Sequence, residues 1–372
     1  MAYNIEETRE VSYAAWLDTI PAFGRKRLYQ LVELAGSAQK AYLMSQSDIA
    51  FLFGQKVAEE WKKHKEQQVP EQVYAEYLKK DIQFVFYRMK DFPDKLRNIP
   101  DPPFGIYYKG ELPQACKPAV AMIGARKYSD YGRCMAEQFA TAFGRNKIAV
   151  ISGMAMGVDG ISQRVALKAG GLSYGVLGCG VDVVYPKSNQ RLYEDLIGQG
   201  GVISEYPPQT PPLAGLFPQR NRIISALADA ILVVEARPKS GTLITVDMAL
   251  EQGKEVYVIP GRCTDQLSLG CNRLLRQGAL AAICPEDVMQ DMGWQQISSS
   301  ETLSMQYGNL SQVAVEILAV LDVLPCTRED IVTALADKRT GYSVSQICQG
   351  ITELEIEGLA TRVGGQYKRT QL

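Results

Sequence analysis

Between residues 119 and 290 the chain repeats one pattern six times: a short apolar run, a turn, then a helical stretch. The runs at 120–123, 148–152, 173–177, 201–204, 230–234 and 256–259 read as strands. Helical patterns at 131–143, 160–169, 189–197, 219–227, 242–252 and 272–277 follow them in turn. Apolar strands interleaved with helices call for a mainly parallel sheet covered on both faces, an α/β doubly wound fold. Sheets of this kind take ligands at the carboxyl ends of their strands, so function is sought in the turns that follow each strand.

Those turns are rich in glycine and cations. The first, in 120–132, reads Gly124-Ala-Arg126, with Ser129 and Asp130 opening the next helix. The second reads Ser152-Gly153-Met-Ala-Met-Gly157-Val-Asp159, and the third runs from Gly178-Cys-Gly-Val-Asp182 to Tyr185-Pro-Lys187. The fourth carries Glu205 and then Phe217-Pro-Gln-Arg220-Asn221-Arg222; the fifth carries Glu235 and Lys239-Ser240-Gly241-Thr242. The sixth has Pro260-Gly261, then Gly270-Cys-Asn-Arg273. Gly124, Gly153 and Gly157 would admit close backbone approach, and Ser240, Gly241 and Thr242 would offer hydroxyls and N-cap geometry to an oxyanion. Arg126, Lys187, Arg220 and Arg222 are expected to converge as a positive rim, because guanidinium and ammonium groups suit phosphate oxygens. Any one turn reads equally well as an ordinary βα connection, but six on one face point to a phosphate-rich ligand.

Composition narrows the alternatives. With 40 basic and 41 acidic side chains the formal charge is −1, so a nucleic-acid surface must be a local patch. Eight scattered cysteines without a CxxC pair, and a single histidine at His64, argue against a structural zinc site or His-based catalysis; no metal and no cofactor is expected. No apolar run approaches the roughly 18 residues of a membrane span, and the amino terminus has no signal-like core, so a cytoplasmic protein is expected. At 372 residues the chain has room for two or three domains.

Residues 1–67 read as a helical domain. Ile20-Pro-Ala-Phe-Gly24-Arg-Lys-Arg27 resembles a helix-hairpin-helix turn, although Ala22 stands where such turns usually have glycine, and a solvated basic turn is the simpler reading. Residues 68–294 form the core, with a proline-rich lead-in expected to add an edge strand. A polar linker at 295–309 precedes residues 310–372, where three helical patterns and a hairpin around Gly364-Gly365 read as a winged helix. That unit holds eight acidic and six basic residues, with Glu353, Glu355 and Glu357 on its third helix. Such a helix would repel phosphates, so a protein-contact role is expected of it.

Taken together, the motifs resemble the DNA-processing protein A family (DprA, also called Smf). They stand in order as Ile123-Gly-Ala-Arg126, 152–159, 178–187, Ser204-Glu-Tyr-Pro207, Phe217-Pro-Gln-Arg-Asn-Arg-Ile-Ile224, Ser240-Gly-Thr-Leu-Ile-Thr245 and Pro260-Gly261 with Gly270-Cys-Asn-Arg273. The resemblance implies an extended Rossmann-like core that binds single-stranded DNA, with a SAM/helix-hairpin-helix-like amino-terminal domain and a carboxyl-terminal winged helix. It further implies a homodimer that loads a RecA-type recombinase onto incoming DNA during natural transformation. By motif, Arg126 and Lys187 would be the main phosphate contacts. The loops 153–157 and 240–242 would add backbone donors, and Arg220, Asn221 and Arg222 would be further participants. Two positions depart from the family: Met156 where an Arg is usual, and Gln163 where a His is usual.

The competing function is a nucleotide-processing enzyme. The sheet also resembles the LOG-type phosphoribohydrolases, whose PGGxGTxxE loop corresponds here to Pro238-Lys-Ser-Gly-Thr-Leu-Ile-Thr245. Thr245 occupies the place of the catalytic Glu, removing the carboxylate that oxocarbenium chemistry needs. Asp159, Asp182, Glu205 and Glu235 remain as carboxylates, expected to cap turns and balance arginines. Dinucleotide binding is set aside, because no GxGxxG follows the first strand.

Overall fold

The computed structural model of the protein describes residues 5–294, 310–321, 325–337 and 341–370. The chain divides into two compact units, 1–294 and 295–372. The expected linker at 295–309 lies outside the described residues.

A nine-stranded sheet organises the first unit. Its strands are β1 (Gln83–Phe86), β2 (Gly105–Gly110), β3 (Ala119–Ile123), β4 (Ala149–Ser152), β5 (Ser173–Val176), β6 (Gly200–Ser204), β7 (Ala230–Val233), β8 (Glu255–Val258) and β9 (Leu280–Ala281). They lie in the order β1-β2-β6-β5-β4-β3-β7-β8-β9. The strands from β6 through β9 pair in parallel, while β1 and β2 join the β6 edge antiparallel. The chain leaves β3 toward β4 on one side and returns to β7 on the other, so the switch point of the sheet falls between β3 and β7.

The central strand shows why the apolar runs carry no alternation. Ala119, Ala121 and Ile123 pack into one hydrophobic cluster, and Val120 and Met122 into another on the opposite face. On the second face lies the helix Asp130–Arg145, whose N-cap Ser129 accepts from the Gly132 N–H. The first face is covered by the helix Leu216–Leu227 and by the amino-terminal helices, whose Trp16, Leu28 and Trp61 belong to the same cluster as Tyr107 and Ile203.

The lead-in at 68–120 contributes more than extended chain. Pro70 begins a helix, Pro70–Lys79, because its missing N–H falls where a helix has no partner for one. The lead-in then supplies two strands where one edge strand was expected: β1 at the edge and β2 between β1 and β6.

A buried ion-pair network fastens the helix Arg25–Ala35 to the core. Glu205, just beyond β6, receives Nη1 of Arg25 at 3.1 Å and Nη2 of Arg222 at 2.5 Å. Asp101 bridges the same two guanidinium groups at 2.5 and 3.3 Å. Close by, burial pushes the Asp18 carboxyl up to about 8 and Glu205 adds to the rise, against the pull of the Tyr107 hydroxyl and Arg25.

Among the described residues of the second unit the elements run as expected: helices Gln312–Val320, Arg328–Asp337 and Val344–Ile356, then the hairpin of β10 (Ala360–Val363) and β11 (Gln366–Arg369). Glu353 on the third helix accepts from the Ser311 N–H at 2.7 Å, which fixes the start of the first helix. Tyr367 on β11 joins the hairpin to the second helix by accepting from Arg328 Nε at 3.0 Å.

Two outcomes follow for stability. Arg222→Ala leaves the buried Glu205 carboxylate with Arg25 as its remaining partner and should cost about 1–3 kcal/mol in urea unfolding. Asp18 holds its proton more tightly folded than unfolded, so its contribution to stability falls as pH rises from about 4 to about 8. Asp18→Asn should remove that fall, read as a smaller difference between unfolding midpoints at the two ends of the window.

Candidate functional site

The turns at the carboxyl edge are pinned to one another, and glycine makes the pinning possible. Gly157 has φ +90°, and a Cβ there would lie 2.3 Å from the Ala125 carbonyl oxygen and 2.6 Å from Arg126 Cα. The Arg126 turn therefore rests directly on the 153–157 loop, and the Val158 N–H donates to the Ala125 carbonyl at 3.2 Å. On its other flank the same loop is held by Asn189, whose Nδ2 donates to the Met154 carbonyl at 3.0 Å. Asn189 closes the short 3-10 turn Lys187–Asn189. Arg126 and Lys187 are thus brought to turns that share one support, and both side chains are exposed. Met156, 55% exposed, projects from that shared loop.

The other two cations of the expected rim turn inward. Arg220 is 5% exposed; its Nη1 donates to the Gly153 carbonyl at 2.9 Å and also to the Val176 carbonyl. Burial lowers its pKa, with neighbouring Asp159 pulling the other way. Arg222 is equally buried in the Glu205 and Asp101 pairs. Asn221 stays half-buried and accepts from Arg220 Nε at 3.3 Å. Of the four cations expected on the rim, Arg126 and Lys187 are exposed, Arg220 braces the 153–157 loop from inside, and Arg222 serves the Glu205 and Asp101 pairs.

The glycines divide in the same way. A Cβ on Gly124 would meet Val158 Cγ2 at 2.7 Å, and one on Gly153 would meet the Arg220 guanidinium at 2.5 Å. Their small size serves packing between turns. Gly241 alone of the predicted loop glycines has open space where its Cβ would stand. It begins the helix Gly241–Glu251, where Ser240 accepts from the Thr242 N–H and Thr242 Oγ1 donates to the Gly124 carbonyl at 3.2 Å. This ties the turns on the two sides of the switch point.

All four carboxylates have structural partners. Glu235 accepts from the Ser129 N–H at 3.0 Å and from its hydroxyl at 2.5 Å, and fills the space a Cβ on Gly132 would need. Asp159 accepts from the Gly153 N–H at 3.1 Å; burial raises its pKa while Arg220 opposes the rise. Asp182 accepts from the Gln209 N–H at 2.7 Å, and Glu205 holds the arginine network. Thr245 is buried within its helix, and Gln163 donates to the Tyr174 carbonyl at 3.0 Å.

The structure adds residues to the edge that the motif reading passed over. Lys127 and Arg237 are exposed on the turns after β3 and β7. Tyr128 is exposed beside them in sequence, and Tyr185, two residues before Lys187, packs on Phe217 with ring centroids 5.4 Å apart. An aromatic adjoining a cation at a strand's carboxyl end was the available signal.

Comparison with known proteins finds relatives along most of the chain. Residues 83–293 match the model of a family described as DNA recombination-mediator protein A. Protein Smf of Escherichia coli is 35% identical over 286 residues, covering 75% of this chain and 75% of that protein. The structure of DNA processing protein A from Streptococcus pneumoniae superposes with a TM-score of 0.65 at 30% identity, covering 78% of this chain and 99% of that one. A Helicobacter pylori structure described for the single-stranded DNA binding mode of DNA processing protein A gives a TM-score of 0.51 at 27% identity, over 58% of this chain and 98% of that one.

The shared support gives a test of the local geometry. Gly157→Ala forces the chain against the Ala125 carbonyl at a positive φ and should lower stability by about 1–3 kcal/mol in urea unfolding.

Proposed function

The chain belongs to the DNA recombination-mediator protein A family, and from that premise we propose that its carboxyl-edge groove holds single-stranded DNA by the phosphate backbone. The observation that carries this reading is the pairing of exposed Arg126 and Lys187 on turns braced by the same loop. Two fixed cations track a backbone without reading its sequence, while Tyr185, Tyr128 and Met156 offer faces on which bases can rest. At Gly241, where no Cβ stands in the way, a phosphate can approach the start of the helix Gly241–Glu251. The name of the Helicobacter pylori neighbour supports the choice of a single-stranded ligand.

The wider role is a proposal on the same footing. The protein protects incoming single strands during DNA uptake and loads a RecA-type recombinase onto them. The description of the family as a recombination mediator supports that role. It acts as a homodimer in this reading, and the sheet edge at β9, with Leu280 and the 75% exposed Ile283, offers one exposed apolar surface for the contact.

Electrophoretic mobility-shift titration with oligo-dT tests the groove. Arg126→Ala and Lys187→Ala should each weaken binding and act more strongly together. The slope of log affinity against log salt should become shallower by about 0.7 for each phosphate contact removed. A double variant with parental affinity and slope would show that DNA lies elsewhere.

A further inference from the structure

Against the helix Leu216–Leu227 lies a cleft of about 570 Å³. It opens between the turn at 23–27 of the amino-terminal helices and the chain beyond β6, and its walls include Asp18, Arg25, Lys26, Arg27, Tyr206 and Gln219. The volume falls within the ~300–1,000 Å³ typical of ligand sites.

Its charge favours an anion. Glu205, the carboxylate at its base, is already paired with Arg25 and Arg222, which leaves Lys26 and Arg27 exposed at the mouth. Arg27 is held in place by donating from Nη1 to the Ala22 carbonyl at 2.9 Å. The helix Arg25–Ala35 starts here at Gly24 without a side-chain cap.

The helix Leu216–Leu227 borders both places. Phe217 faces Tyr185 on the groove side, and Gln219, two residues on, faces the cleft.

We propose that this cleft is a second subsite for single-stranded nucleic acid, which takes a phosphate at Lys26 and Arg27 and seats the attached nucleoside over Tyr206 and Gln219. The proposal rests on the groove reading above and extends the footprint of the strand onto the amino-terminal helices. Binding there makes the affinity depend on length, because a short strand fills the groove alone.

The test is fluorescence anisotropy on the full chain with labelled oligo-dT of about six and about twenty nucleotides, lengths that bracket a typical single-domain footprint. Lys26→Gln combined with Arg27→Gln should weaken the long oligonucleotide and reduce its salt slope by about 1.4, two contacts' worth, while leaving the short one at parental affinity. Gln219→Glu, which places a negative charge at the same wall without touching the Arg27 brace, should weaken the long one alone as well. Parental binding of the long oligonucleotide by both cleft variants, with the Arg126→Ala, Lys187→Ala protein impaired, overturns the cleft and leaves the groove standing. Parental binding by the groove variant overturns the groove reading on which the cleft depends.

Discussion

The carboxyl edge of this sheet depends on one buried guanidinium. Arg220 enters from the helix Leu216–Leu227 and donates to carbonyls of the turn after β4 and of the end of β5. Those carbonyls belong to loops that a parallel sheet leaves without ladder partners, and burying them unpaired would be costly. Asp159 stands beside the guanidinium and offsets its charge while also fixing the Gly153 N–H. The site is therefore assembled around an internal cation before any ligand arrives, and the exposed cations are mounted on what that cation holds.

This separates two uses of arginine that look alike in sequence. Arg220 and Arg222 lie two positions apart and both face the interior: one braces backbone carbonyls and the other serves the Glu205 network. Neither can be withdrawn for a phosphate without leaving a buried carbonyl or carboxylate short of a partner. Arg126 and Lys187 carry no such duty, and a surface cation is free to exchange water and counterions for phosphate. Burial, which a single sequence shows only through patterning, decides between the two uses.

Most of the fold was legible because its periodicities are clean. Each of the six core strands and the helices between them appear within a few residues of where apolar runs and amphipathic stretches placed them, and the proline-rich lead-in supplies two strands, β1 and β2, where one edge strand was expected. The helix Pro70–Lys79 was hidden because its proline reads as a breaker unless it is recognised as the first helical residue. The site was legible as a set of turns and less so as a set of contacts. Gly124 and Gly153 carried the signature of ligand approach, yet Val158 and Arg220 occupy the space they leave. Long-range packing of this sort, between residues about 30 or more positions apart, leaves no local pattern to read.

The same economy explains why the carboxylates and the cations at this edge have separate fates. Glu235 spends both oxygens on Ser129 and so anchors the helix that begins beside Arg126. Thr242 reaches across the switch point to the Gly124 carbonyl, closing the other side of the same turn. A turn fixed from both sides loses little backbone freedom when a phosphate arrives, and that pre-organisation favours holding a flexible polymer whose own ordering is already costly. With Asp159, Asp182, Glu205 and Glu235 all engaged in building the edge, its outward chemistry is left to exposed cations, backbone donors and aromatic faces, a set suited to grip along a strand.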